Sequence, residues 1–590
     1  MRNFPLSFYQ KRLQKFEKEL IVLKKKSLWI SIARLIVFLL LIVALYFFHE
    51  STGQVLLIFM VWIPVFLFLV SKSGNISKAI GRNKAYQKIN RTEIQILKQK
   101  PTDLPDGSQF INTGHAYSYD IDLFGTDSFF QYINRSYNPE VQTDLASLLT
   151  ANDINQIEQK QEAVKELAQK PEWRQDFMAG VLTLENTKPS TEINQWFSGY
   201  KPFTHTFTGY LTLVFSILSI GILAGFYTHT LPNRILYYWL IFGLFVVGIF
   251  AKKIHRLYQG LDYILPSLIS AGSLIELIEK ESFKSHLLSQ KQKEIQSKNK
   301  PASQILTQLF RWYNRKEMAQ NIVIKFLGNS LFLYDLLMAY QLEKWIKQYG
   351  KDISYWLENL RFFETQISLG NFAFNHPTYT YPKLINDKLQ IKAEQLGHPL
   401  IAFDKRVTNN FSIHPNEFYI ITGANMAGKS TFLRTVSLSI VMANTGLPVC
   451  ATSYSYQPIK LITSMRTSDS LSSDSSYFFS ELTRLKYIVD QIATGAYFIV
   501  LDEILKGTNS KDKAMGSKQF LERLTQSKAT GIIATHDLSL CSLADEYPQI
   551  KNFFFDAAII DDELYFDYRL KTGICQNMNA SFLLRKMNII

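Results

Sequence analysis

The residues with the clearest chemical potential lie between 419 and 432. Within Tyr419-Ile420-Ile421-Thr422-Gly423-Ala424-Asn425-Met426-Ala427-Gly428-Lys429-Ser430-Thr431-Phe432, the residues Gly423, Gly428, Lys429 and Ser430 satisfy the G-x-x-x-x-G-K-[ST] spacing. Glycines let the backbone N–H groups of Ala424, Asn425, Met426, Ala427 and their neighbours turn inward around phosphate oxygens. The N-terminus of a following helix, from Lys429 through Thr431, adds positive dipole. Lys429 then reaches the β- and γ-phosphates, and the Ser430 hydroxyl is a ligand for Mg²⁺. Farther on, the apolar run Tyr497–Leu501 ends in Asp502-Glu503. The first carboxylate is placed to hold Mg²⁺, and the second to orient and deprotonate an attacking water. A third run, Gly531–Thr535, ends at His536, a group that can polarise or sense a γ-phosphate. The chemistry expected is hydrolysis of a Mg²⁺-bound nucleoside triphosphate, ATP, with Lys429, Glu503 and His536 as catalytic groups and Ser430 and Asp502 as metal ligands.

Those residues need strands and helices to hold them. A short apolar strand precedes Gly423, a helical pattern runs from Leu433 to Met442, and the 497 and 531 runs read as buried strands. The chain has 590 residues, 47% apolar and 19% charged, too many for one core and too oily for a disordered polymer. Its three cysteines exclude a disulfide scaffold and fit a reducing compartment. Of the net charge of +14, residues 1–100 carry +13, from 17 basic and 4 acidic side chains; residues 101–400 are balanced and 401–590 carry +1. The basic character belongs to one end and does not by itself point to nucleic acid.

That end is also the oiliest. Residues 51–71 form a charge-free run of 21, near the ~20 residues that cross a bilayer, and Ser27–Phe48 is equally apolar apart from Arg34. A second pair, Thr206–Thr228 and Ile235–Ala251, has a short loop holding Pro232 and Arg234. Lysines and arginines flank the outer ends of both pairs, while the connecting loops hold only Arg234. The expectation is two transmembrane hairpins with both termini and all large segments cytoplasmic, in an integral inner-membrane protein. Phe4–Leu23 reads either as a basic amphipathic helix on the anionic leaflet or as an ordinary solvated helix. Residues 76–204 and 252–385 look mostly helical, with Ile154–Gln169 and Ile322–Tyr349 among the clearer patterns. Asn112–Tyr137 is loop-rich, and Ser282–Lys300 is a polar, basic connector.

Taken together the motifs resemble those of the MutS family of DNA mismatch-repair ATPases. The phosphate loop is similar to that family's G-P-N-M-G-G-K-S-T, with Ala424 and Ala427 in place of Pro and Gly. Leu501–Ser510 resembles its D-E-I-G-R-G-T-S, Ala534-Thr535-His536 its A-T-H, Ser476–Glu481 its S-T-F-x-x-E, and Gly397-His398-Pro399-Leu400 its G-R-H-P. Asp120–Gly125, Ile157–Val164 and Glu364–Pro382 resemble, more weakly, its helical core and lever. The resemblance implies an α/β P-loop NTPase domain of the ABC type over 386–590. Before it would come an α-helical core and lever over 76–385, interrupted by the hairpin 206–228/235–251, and the basic helix and first hairpin over 1–75. It also implies a homodimer through the ATPase domains, with Ser476 reaching the opposite subunit's nucleotide, and binding to mismatched or branched DNA.

The departures carry information too. No segment before residue 100 resembles the mismatch-recognition domain, no connector domain is found, and Arg406 stands where an adenine-stacking ring is expected. Two further readings follow: an ATP-driven conformational module that works on a membrane or protein partner without DNA, and, ranked last, an ABC-type transporter. Against the transporter stand the scarcity of charged groups in the four spans and the absence of an L-S-G-G-Q signature at 476.

Overall fold

The computed structural model describes residues 3–98, 103–183, 188–296, 300–318, 322–386, 389–424, 426–466, 477–527, 529–560 and 563–576. Ten strands are found among them, all in the C-terminal part: β1 (Lys383–Leu384), β2 (Ile391–Leu396), β3 (Asn409–Ile413), β4 (Phe418–Gly423), β5 (Ser453–Tyr456), β6 (Lys460–Ser464), β7 (Tyr497–Asp502), β8 (Thr530–Ala534), β9 (Ile550–Ile560) and β10 (Glu563–Thr572). One sheet has the order β10-β9-β4-β8-β7-β6, parallel except for the antiparallel edge strand β10; a smaller one has the order β1-β5-β2-β3. Both β4 and β8 are buried along their whole length, which is why they read as unbroken apolar runs rather than alternating ones.

Alternation persists in where their side chains go. Ile421, Val500 and Ile532 face a core shared with Phe432, Leu433, Val436 and Ile440 of the helix Lys429–Asn444. Ile420, Ile499 and Ile533 face the opposite layer, against Leu485 and Ile488 of the helix Tyr477–Ile492 and Leu521 and Leu524 of the helix Ser510–Thr525. The sheet is therefore clamped on both faces, and its register aligns three strand ends. Ile421 and Asp502 both pair with Ala534, so β4, β7 and β8 finish at one edge.

The N-terminal part is helical. Among the described residues, four helices are long and apolar enough to cross a membrane by length and composition: Asn3–Phe48, Thr52–Leu97, Thr206–Tyr227 and Asn233–Lys280. Their apolar stretches face outward, with Leu56, Leu57 and Met60 64–75% exposed. Three of them run on well past the apolar stretch. The 48 residues of Asn233–Lys280 extend about 72 Å, more than twice a ~30 Å hydrocarbon layer. The second half of that helix, from Ile254 to Ile278, lies in the main helical core with Leu306, Leu309, Trp345, Trp356 and Phe363.

Two expectations are corrected here. Phe4–Leu23 is not an in-plane surface helix, and it is solvated on one side only, where Lys11, Lys15, Glu17 and Lys18 are exposed. It belongs to the single helix Asn3–Phe48, packs antiparallel to Thr52–Leu97, and buries Tyr9 and Phe16 against the protein. The pattern over 322–349 is not one helix. It breaks at Leu333 (φ 47°) into Ile322–Phe332 and Tyr334–Tyr349. Asn329 and Asp335 bridge the break by reciprocal hydrogen bonds of 2.8 and 2.9 Å. The Ile322–Phe332 helix then lies against Gly243, where the Ser330 carbonyl approaches too closely for any side-chain carbon. The polar stretch 282–300 contains the helix His286–Glu294, anchored by the buried Leu288.

Candidate functional site

At the aligned strand ends lies a cavity of about 650 Å³. Gly423 closes β4 at φ 145°, Met426 and Gly428 follow at 67° and 103°, and the helix begins at Lys429. A left-handed turn of this kind lets backbone amides turn toward one point, which is the use of the two glycines. Lys429 is 6% exposed. Its Nζ donates to the Gly423 carbonyl at 2.8 Å and the Ala424 carbonyl at 3.0 Å. Burial holds its pKa below the usual lysine value, with Asp502 and Glu503 pulling it back up. Ser430 Oγ donates to Asp502 Oδ2 at 2.6 Å. Burial raises the Asp502 carboxyl, partly offset by that hydroxyl.

Glu503 sits one residue on, at φ 50°, with its backbone N–H bonded to the Ala534 carbonyl at 2.9 Å. Its carboxylate lies 2.8 Å from His536 Nε2 and 3.7 Å from Lys506 Nζ. The hydrogen bond with His536 holds Glu503 down at about 2, against the effect of burial. Lys429 Nζ is also 3.2 Å from the same His536 nitrogen. One nitrogen cannot donate to the carboxylate and accept from the ammonium together. A protonated Nε2 serves Glu503, and Lys429 keeps its two carbonyls.

Residues 419–584 match the family model of MutS domain V. Over 212 residues, 34% of this chain, the sequence is 32% identical to a Homo sapiens protein named MutS protein homolog 4, and equally to one of that name from Mus musculus. Those residues make up 22% of each relative, so the chain spans about a fifth of the length of the curated relatives it matches.

Within the MutS domain V match, the structure brings Ala424, Met426, Gly428, Lys429, Ser430, Thr431, Asp502, Glu503 and His536 to one cavity wall. Gly423 supplies a carbonyl behind Lys429, and Ala427 is fully buried under the loop. Asn425 and Ser476 lie outside the described residues. Arg406 does not reach the cavity. Its guanidinium turns inward, to the carbonyls of Pro399 and Ile401, Tyr379 Oη and Cys450 Sγ, and organises the loop beneath.

Sequence reasoning missed three contributors. Tyr568 lines the cavity beside Gly428 at φ 52°, where β10 slips register against β9 between Phe566 and Leu570. Asn409 fixes that slip, donating to the Tyr568 carbonyl at 3.0 Å and accepting from the Leu570 N–H at 2.8 Å. Glu481 accepts from the backbone N–H groups of Leu505 and Lys506, pinning the turn that carries Glu503. Sequence signals existed for two of these: Glu481 lies in the 476–481 motif, and Asn409 lies in the segment 407–410 that follows Arg406 and resembles the one expected to supply a base-stacking ring.

Proposed function

We propose that the chain is a membrane-anchored ATPase of MutS type, working as a dimer. One observation carries the reading: Lys429, Ser430, Asp502, Glu503 and His536, drawn from three strand ends, share a single cavity. A triphosphate would take the loop amides and replace the Gly423 and Ala424 carbonyls as partner of the Lys429 ammonium. The Ser430 hydroxyl and the Asp502 carboxylate, already 2.6 Å apart, are a hard-oxygen pair of the type Mg²⁺ accepts, with phosphates and water left to complete its shell. Bound there, magnesium supplies charge neutralisation on the phosphate oxygens.

Glu503 is the base for the attacking water. The His536 hydrogen bond keeps it ionised but also weakens it as a proton acceptor, so catalysis requires His536 to turn toward the γ-phosphate and release it. Tyr568, with Ile401 and Val407 nearby, provides the surface for the nucleotide base. Met426 and Phe479 are 77% and 61% exposed, which suits a face covered by a second copy. ATP hydrolysis by the purified chain, lost in Lys429→Ala, tests the reading; a chain that neither binds nor hydrolyses ATP sinks it.

We assign DNA as the partner implied by the MutS resemblance, with salt-dependent binding of mismatched or branched duplex, with and without ATP, as the test. The continuity of Asn233–Lys280 from its outward-facing apolar half into the helical core favours a second reading, in which the nucleotide cycle acts on the membrane or a protein partner. ATPase activity indifferent to DNA would select it.

A further inference from the structure

Outside the nucleotide cavity, with which it shares no lining residue, a buried polar cluster gathers residues from four helices. Glu93 comes from the Thr52–Leu97 helix, Arg174 from Pro171–Leu182, Asn371 and Asn375 from Asp352–Asn375, and Tyr9 from Asn3–Phe48; Arg135 joins from the loop after Ile133. Arg135 and Glu93 pair edge to edge, Nε to Oε1 at 2.5 Å and Nη2 to Oε2 at 3.2 Å, and Asn375 Nδ2 adds a third bond to Glu93 at 2.8 Å. That carboxylate accepts three hydrogen bonds, and its charge also favours the cationic form of Arg174.

Arg174 is a second buried guanidinium without such a mate. It is 2% exposed, and burial lowers it only to about 10, so it remains a cation. Nη1 donates to Asn371 Oδ1, and the guanidinium lies 5.3 Å from the Phe374 ring centroid. Nε and Nη2, the two donors of one guanidinium edge, have no partner among the described residues, and neither has Asn371 Nδ2. The amide is not simply flipped, because its oxygen already accepts from Arg174 Nη1, which a flipped amide nitrogen could not do. Three unpartnered donors, and no unpartnered acceptor, come from these two residues.

Arg174, Asn371, Arg135 and Lys88 line one cavity of about 40 Å³, several times the ~10–15 Å³ one water needs; Glu93, held by Arg135 and Asn375, is its one acidic lining residue, so the lining charge stays positive. It shares Lys88, Tyr137, Met178 and Leu182 with a neighbouring cavity of about 710 Å³ that is walled further by Val181, Leu274, Leu357 and Leu360. Charge and donors call for an oxyanion, and a bidentate one, since the free edge matches two oxygens on one centre.

We propose that the Nε–Nη2 edge of Arg174, with Asn371 Nδ2, binds the carboxylate or phosphate head of an anionic ligand. The head fills the small cavity, and any apolar body extends into the large one. Occupancy ties the helix Pro171–Leu182 to the helix Asp352–Asn375 that leads into the strands.

The test uses the full chain in zwitterionic nanodiscs with saturating Mg-ADP, so that the phosphate loop is filled. Inorganic phosphate, dodecanoate and dodecanol are added at constant ionic strength. A saturable Tm rise of about 2–4 °C with dodecanoate but not dodecanol supports an amphiphile as the source; the same rise with phosphate alone supports a free oxyanion. No shift with either anion overturns the proposal, as does a shift that survives in Arg174→Gln. Should that variant not fold, Asn371→Asp supplies the carboxylate internally. It should melt higher than the parent without added anion and lose the anion response; an unchanged response overturns the proposal.

Discussion

Lys429 and Arg174 are both buried cations, 6% and 2% exposed, and they are satisfied in opposite ways. Lys429 holds two carbonyls of its own loop, partners that a phosphate can displace without leaving a charge unpaired. Arg174 keeps one whole edge unfilled beside an Arg135–Glu93 pair that shows what filling it would look like. The lesson concerns distance along the chain. A loop can carry its own temporary partners within seven residues, whereas the Arg174 cluster exists only once helices from residues 9 to 375 have met. A site of the first kind announces itself as a motif, and a site of the second kind cannot.

The sharpest way to break this contrast is at the nucleotide loop. Glu503→Gln should lower ATP hydrolysis about 10²–10⁴-fold while leaving nucleotide affinity within a few-fold, read by phosphate release and by fluorescent-nucleotide titration. Gln keeps the shape and a weak acceptor for His536 but cannot take a proton. Parental turnover in this variant would remove Glu503 from the role of base.

Next in size, Lys429→Ala should weaken Mg-ATP binding about 10–100-fold, the worth of a charge-assisted contact to phosphate. It should leave the oxyanion-dependent rise in Tm intact, because the Arg174 cluster shares no lining residue with the nucleotide cavity. If both responses vanish together, the two cations belong to one coupled system and the contrast fails. Tyr568→Ala should cost less, about five-fold in ATP affinity, in keeping with the loss of one aromatic contact. An equal loss for inorganic triphosphate would mean that the ring braces Gly428 rather than facing the base.

How much of this could be read beforehand follows the same divide. Gly423 to Thr431 are contiguous, and Asp502 and His536 close apolar runs, so strand-end chemistry was visible residue by residue. The sheet order was not, since it depends on which strand β4 meets on each side. Tyr568 escaped because its place depends on a register slip held by Asn409, 159 residues away. The helix break at Leu333 escaped because no glycine or proline marks it; a leucine in the left-handed region is tolerated only through the Asn329–Asp335 bonds. Phe4–Leu23 allowed two readings because a stripe of apolar residues does not say whether lipid or protein will cover it.

The smallest effect expected tests the large cavity beside the Arg174 cluster. Glu364 lines it, is 6% exposed, and accepts from Ser136 Oγ. Burial raises its pKa from 4.5 to about 7, with the Ser136 bond opposing. Between those values the folded chain holds a proton that the unfolded chain releases. The stability this group contributes is therefore fully present below about 4.5 and lost as the pH rises through about 7. Glu364→Gln keeps the acceptor for Ser136 and removes the titration. Its Tm relative to the parent should climb between about pH 5 and 7 and then level off. Other titrating groups are common to both proteins and cancel in the difference. A flat difference across that range would mean that Glu364 reaches water through the cavity and is not held in the apolar surroundings its burial implies.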